Sequence, residues 1–220
     1  MTSYSAALFD IDGTLIDSNY LHVEAWAHAL ADVGAEVDTW RIHRGIGMDS
    51  DMLLESLLGD KAESLGEKAS DLRSTYYDEL LPRLRVFRGA RELLARLAEA
   101  DVTVVLATSA PEDQLKSLRK ELDIEHALTA VTSADDVETA KPAPDIVETA
   151  LERAGVEAAD AIFIGDSVWD VQAAGRAGVA CIGVLSGGFS AAELRDAGAI
   201  AVYASVAELL EQLDESPLAR

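Results

Sequence analysis

Short apolar runs alternate along this chain with longer stretches in which Leu, Val, Ile and Ala return every three or four positions; the first pattern marks strands, the second helices. Ala6–Phe9 is the first short run. The acidic, glycine-bearing turn Asp10–Gly13 closes it, so it reads as a buried strand ending at Asp10. Leu21, Ala25, Trp26, Ala29, Leu30 and Val33 then repeat at helical spacing up to Gly34. The stretch from Asp38 to Asp49 is irregular, Met52–Leu58 and Glu63–Leu81 read as helices, and Pro82 ends the second. No strand pattern occurs between Ser18 and about Arg85.

From Val86 the two patterns alternate. Arg91–Leu97 is an amphipathic helix and Val102–Ala107 a β-branched strand. A helix follows Pro111 through Leu115, Leu118 and Leu122, then a short strand at Ala130–Thr132. Pro144 opens a helix through Ile146, Val147, Ala150 and Leu151, stopped by Gly155. Ala161–Ile164 and Val179–Val184 are strands around a Val168–Ala177 helix. Ser190–Glu193 and Ser205–Glu208 each fit a capping box, with Ile200–Tyr203 a strand between them, and Pro217 onward reads as a frayed tail. The alternation predicts an α/β fold, a Rossmann-like parallel sheet covered on both faces. Its core is expected over residues 1–15 and 86–220. Residues 16–85 are expected to form an inserted helical subdomain that leaves the sheet just after Asp12 and stands above it like a lid.

Composition narrows the partners. An apolar share of 49% over 220 residues supports a sizeable core, and a formal net charge of −22 argues against nucleic acid or an anionic membrane as partner. Cys181 is the sole cysteine, so no intrachain disulfide forms, and it sits in an apolar run as a small core residue. No apolar run approaches the ~20 residues of a membrane helix, and no signal peptide is visible; a cytoplasmic protein is expected. Without a long exposed apolar helix, a monomer or weak homodimer is expected.

The chemistry lies at predicted strand ends. Asp10 and Asp12, two residues apart on extended backbone, point the same way at the carboxyl end of a strand, where open α/β sheets place ligands. Such a pair suits a hard divalent cation or an aspartyl-phosphate nucleophile, or simply a turn with Gly13. Thr108 and Ser109 follow the next strand and can donate to an anion or cap the following helix. Lys141 is held between Ala140 and a proline-rich turn, which favours phosphate binding over a merely solvated lysine. Asp166 ends another strand and Asp170 lies one turn into the next helix, as site acids or as cap and dipole partners. Four carboxylates and a phosphate ester, which carries roughly two negative charges near neutral pH, require a metal and a lysine together.

These residues resemble the four ordered motifs of the haloacid dehalogenase superfamily: Asp10–Leu15, Thr108 after a strand, Lys141–Pro142 and Gly165–Asp170, with a helical cap between the first and second. The resemblance implies that Asp10 is the phosphoryl-accepting nucleophile and that Asp12 protonates the leaving group and then activates water. Asp10, the Asp12 carbonyl and Asp166 would bind Mg²⁺, with Asp170 in support. Thr108, Ser109 and Lys141 would hold the phosphate, and Gly13 and Thr14 would shape the turn. The acid at Asp12 makes dehalogenation an unsuitable reading. The chain is similar to phosphoglycolate phosphatases, other sugar-phosphate phosphatases and β-phosphoglucomutases. Gly165–Asp166 with Asp170, in place of adjacent acids, favours a hydrolase of a small phosphorylated metabolite over the alternative, a sugar phosphomutase. Polar candidates for specificity in the cap are His22 and Arg44, then Arg41, His43 and Asp49, with an ordinary surface role open for each.

Overall fold

The computed structural model describes residues 4–219. Its framework is a six-stranded parallel sheet: β1 (Ala6–Phe9), β2 (Thr103–Ala107), β3 (Ala130–Thr132), β4 (Ala161–Gly165), β5 (Ala180–Val184) and β6 (Ala201–Tyr203), in the order β3-β2-β1-β4-β5-β6. Successive crossovers run outward on one side from β1 and on the other from β4. The order therefore reverses between β1 and β4, which opens a crevice at the carboxyl ends of those strands. Asp10 follows β1 and Asp166 follows β4, so the topology alone brings the two acids to the crevice.

Period-two alternation divides the core between the two faces of the sheet. Ala7, Phe9, Val104, Leu106, Ile162, Ile164, Ile182 and Val184 face one side. There they meet α5 (Ala90–Glu99), α6 (Glu112–Leu122) and α10 (Val206–Glu211), numbered in chain order after the four helices below. Ala6, Leu8, Val105, Ala107, Phe163 and Cys181 face α7 (Asp145–Ala154), α8 (Val168–Arg176) and α9 (Ala191–Ala197) on the other. Burial on both faces explains why the strands read as near-continuous apolar runs.

Between β1 and β2 lie α1 (Asn19–Asp32), α2 (Thr39–Gly45), α3 (Ser50–Leu58) and α4 (Ala62–Leu80). They enclose a separate apolar cluster that includes Trp26, Leu30, Ile42, Ile46, Leu53, Leu54 and Ala69. α2 occupies a stretch whose sequence is irregular. Only Ile42 and Gly45 of its seven residues are buried, so its apolar stripe is too thin to show a period.

Two further expectations need correction. Ser216 and Leu218 are buried, Leu218 at 5% exposure in the main core, so the described residues after Pro217 are packed rather than frayed, and Arg220 lies outside the described residues. The Ser205 box is also only half formed. Ser205 Oγ accepts from the Glu208 amide, but the Glu208 carboxylate accepts from the Ala204 amide, one residue before the cap. The Ser190–Glu193 box is complete.

The charge of −22 adds mutual repulsion to the compact state. Raising NaCl from ~0.01 M to ~0.15 M shortens the screening length from about 30 Å to about 8 Å. The melting temperature is expected to rise with salt over that range; a fall would show that attractive surface pairs dominate.

Candidate active site

Asp10 is 6% exposed at the end of β1, and Lys141 Nζ lies 2.6 Å from its Oδ1 and 2.7 Å from Asp170 Oδ1. Lys141 is itself 1% exposed and also donates to the Ala107 carbonyl at 3.3 Å. Asp170 serves both roles its spacing left open. Its Oδ2 accepts from the Ser167 amide and hydroxyl in a capping box, and its Oδ1 meets the lysine. Asp166 is gripped at both oxygens, by Thr14 Oγ1 at 2.9 Å and Asn19 Nδ2 at 2.8 Å.

Asp12 takes a different environment. Its Oδ1 accepts from Ser18 Oγ at 2.5 Å and faces His22 Nε2 at 3.1 Å, both supplied by the start of α1. The other ring nitrogen of His22, Nδ1, faces Arg73 Nη2 at 2.9 Å. A guanidinium only donates, so Nδ1 carries the lone pair and Nε2 the hydrogen that points to Asp12.

Thr108 Oγ1 accepts from the Ala110 amide, and Ser109 Oγ is buried with no hydrogen-bond partner among the described residues. Asp10, Asp12, His22, Arg73, Thr108, Ser109, Lys141, Asp166 and Asp170 line one cavity of about 240 Å³, roofed by Gly45–Asp51. The roof is tied to the floor: the Asp49 amide donates to the Lys141 carbonyl at 2.9 Å.

Burial pushes the Asp10 carboxyl up to about 7, with Asp170 and Asp12 adding to the rise and Lys141 opposing it. Burial, then Asp170 and Asp10, carry Asp166 well above the usual carboxylate range. Burial would raise Asp12 too, but His22, Ser18 and Arg73 outweigh it and the group falls below its ordinary value. Burial disfavours the charged form of Lys141, yet Asp10 and Asp170 more than compensate and its pKa is raised.

Asp10, Asp166 and Asp170 are buried and each offers a carboxylate oxygen within 4.8 Å of the others. An all-oxygen donor set suits a hard divalent cation, and acids raised by burial and mutual repulsion need positive charge to ionise together. The group fits a metal ion on both counts.

A pH dependence follows. A carboxyl raised from 3.8 to about 7, as at Asp10, contributes stability that is present below pH 3.8 and lost as pH rises through 7. Asp166 acts in the same direction, while the window of Asp12 lies below pH 3.8, where its depressed group takes a proton. Metal-free protein is therefore expected to melt lower at pH 8 than at pH 5, and added Mg²⁺ to stabilise it more at pH 8. Melting curves in chelator and in Mg²⁺ at the two pH values check both signs.

Several residues outside the sequence motifs shape this site. Ser186 Oγ donates to the Gly13 carbonyl at 2.6 Å. A Cβ on Gly187 would overlap the Asp166 carboxylate, and one on Gly13, whose φ is +78°, would strike Asn19 and Asp166. Asp166, held at both oxygens, cannot swing aside without losing a hydrogen bond. Gly187→Ala is expected to reduce or abolish cation-induced stabilisation in a thermal melt; an unchanged shift would show that Asp166 yields freely. The Gly187–Gly188 pair after a strand was a visible turn signal. The contacts of Ser18, Asn19 and Arg73 carried none.

Arg44 and His43 lie outside the cavity lining. Arg44 pairs with Glu193 and lies over the Phe189 ring at 4.1 Å, and His43 Nε2 faces the Gly187 carbonyl at 2.9 Å. Both brace α2 against the loop between β5 and α9. Arg41 binds the Ser56 carbonyl within the helical segment, whereas His22 and Asp49 do line the cavity.

The sequence model of the haloacid dehalogenase-like hydrolases matches residues 7–184. A validoxylamine A 7'-phosphate phosphatase of Streptomyces hygroscopicus is 32% identical, over 82% of this chain and 85% of its own. A phosphoglycolate phosphatase of Rhodospirillum rubrum is 30% identical over 93% and 88%. The crystal structure of a hydrolase from Pseudomonas syringae superposes with a TM-score of 0.92 at 35% identity, covering 98% of this chain and 100% of that one. The chain belongs to the haloacid dehalogenase-like hydrolase family. Within it, the protein is an enzyme of the phosphatase kind.

Proposed function

We propose that the protein is a Mg²⁺-dependent phosphatase that hydrolyses a small phosphorylated metabolite through an aspartyl-phosphate on Asp10. The observation that carries this reading is the buried contact of Lys141 with Asp10, at 2.6 Å, beside Asp166 and Asp170 on the floor of one cavity. Residues 1–15 and 86–220 are then the catalytic core and residues 16–85 a cap that excludes bulk water.

Asp10 attacks phosphorus, forming an acyl-phosphate bond as the ester P–O bond breaks. Asp12 gives the leaving oxygen a proton, which it must first take up, because His22, Ser18 and Arg73 favour its ionised form in the free protein. It then takes a proton from the water that displaces phosphate from Asp10. Lys141, Thr108 and Ser109 hold the phosphate oxygens, and the lysine keeps the Asp10 carboxylate oriented. Asp10, Asp166 and the Asp12 carbonyl, supported by Asp170, would hold Mg²⁺, which supplies positive charge against the transferring phosphoryl group.

The two curated relatives above are named for validoxylamine A 7'-phosphate and for phosphoglycolate. A cavity of about 240 Å³ favours molecules of small size. The test is a panel of phosphorylated acids and sugars, read as free phosphate with Mg²⁺ and with chelator. Release from at least one member that stops in chelator supports the reading, and no release from any member counts against it. With β-glucose 1-phosphate, isomerisation without net phosphate would favour the phosphomutase alternative.

A further inference from the structure

The first turn of α1 does more than begin a helix. Ser18 and His22, four positions apart, both face Asp12, and Asn19 between them faces Asp166. One helix start thus reaches acids at the ends of two different strands.

Asn19 is the unusual member. It is 4% exposed and lines the cavity. The amide meets Asp166 through its NH₂, the end that a carboxylate holding a cation needs, and its carbonyl Oδ1 is turned elsewhere. That Oδ1 is buried with no hydrogen-bond partner among the described residues. The helix does not need the amide, since Ser18 is the N-cap residue and no side chain caps α1. Asparagine also favours helix interiors poorly. A buried carbonyl without a donor is costly, and this one belongs to a residue that lines the cavity beside a buried acid group.

We propose that Asn19 is a positioning residue of the cation site, one that fixes the Asp166 carboxylate from the helical segment and keeps an acceptor free for donors that arrive with the cation. Mg²⁺ usually retains waters when it binds protein carboxylates, and their hydrogens are the donors Oδ1 lacks. The inference rests on the reading that a divalent cation binds at Asp10, Asp166 and Asp170. It adds a consequence which that reading does not contain. Asn19 is the first residue of α1, and α1 packs along α4. Ordering of Asp166 by a cation therefore orders the start of the helical segment, and a loosened α1 weakens the cation.

The experiment titrates MgCl₂ into the metal-free protein by calorimetry, with hydrogen exchange of α1 amides followed in parallel. Wild type is expected to saturate, with slower exchange over the first turn of α1. Asn19→Leu, close in volume but without polar atoms, is expected to weaken Mg²⁺ about 10- to 100-fold and to lose the added protection. Tyr20→Phe, at an exposed neighbour, is expected to match wild type. A purely structural role for Asn19 would lower metal-free stability and leave the dissociation constant alone. A folded Asn19→Leu with Mg²⁺ affinity within about twofold of wild type, against the order-of-magnitude loss expected for such a residue, overturns the proposal. If Asn19→Leu does not fold, Asn19→Ser is judged by the same criterion. Wild type that binds no Mg²⁺ would instead refute the cation reading beneath it, an outcome distinct from a variant that binds normally.

Discussion

Asp10→Asn is expected to cut phosphate release by about 10⁴- to 10⁶-fold, the scale on which loss of a nucleophile is felt, while leaving the metal-free protein at least as stable as wild type. The two effects have one origin. In the wild type a buried carboxyl at position 10 stands beside Asp170 and Asp12, and burial with that repulsion raises it to about 7. Ionising it at neutral pH therefore costs folding free energy. An amide has nearly the same shape, can still accept from Lys141 Nζ, and carries no charge to repel the neighbouring acids. It cannot take a phosphoryl group. The effect has a pH signature. The stability difference in favour of Asp10→Asn should be small near pH 5 and widen toward pH 8, as the wild-type carboxyl is forced to ionise. Urea unfolding in chelator at both pH values, beside phosphate release in Mg²⁺, measures the pair of effects. A variant that is inactive because it is unfolded would defeat the argument, and so would one that keeps turnover.

The sheet was legible in the sequence because its central strands β1 and β4 are buried throughout and read as apolar runs that end at Asp10 and Gly165. Ala6–Phe9 and Ala161–Ile164 are found within a residue of where the pattern puts them. The meeting of Asp10 and Asp166 was legible because residues at the carboxyl ends of the neighbouring parallel strands β1 and β4 share a crevice; Lys141 joins them from the loop between β3 and α7, and only the structure shows that contact. What the sequence could not show were the contacts from α1. The Asn19–Asp166 hydrogen bond joins residues 147 positions apart, and no local spacing announces it. Asp170 was ambiguous between helix cap and site acid because a carboxylate has two oxygens. The structure gives one to Ser167 and the other to Lys141. The contact of Arg44 had no local signal either, since its partner is Glu193, far along the chain.

Lys141→Met is expected to have the opposite character to Asp10→Asn, losing stability and activity together. Lys141 is 1% exposed, and its ammonium lies within 2.7 Å of Asp170 and closer still to Asp10. Removing one partner of a buried ionic group leaves the other charges unpaired, at a cost of about 3–5 kcal/mol. The neighbouring acids raise the lysine's own pKa, so its stabilising contribution is complete below its ordinary value of 10.5 and constant across neutral pH. The pH dependence of the variant comes from what is left behind. Without the ammonium, the opposing influence on Asp10 disappears and its carboxyl rises beyond about 7. A raised carboxyl stabilises at low pH and less as pH climbs, so the deficit of Lys141→Met against wild type should be greater at pH 8 than at pH 5. Methionine fills the volume of the lysine stem, which separates the loss of charge from the opening of a cavity. Mg²⁺ should restore part of the lost stability, because a cation among the acids replaces some of the missing positive charge. It should not restore turnover, which is expected to stay down by about 10²- to 10³-fold for loss of a donor to the transferring phosphate. A Lys141→Met protein as stable as wild type in chelator at pH 8 would mean that Asp10 and Asp170 do not depend on the lysine, and the charge balance assigned to this cavity would have to be redrawn.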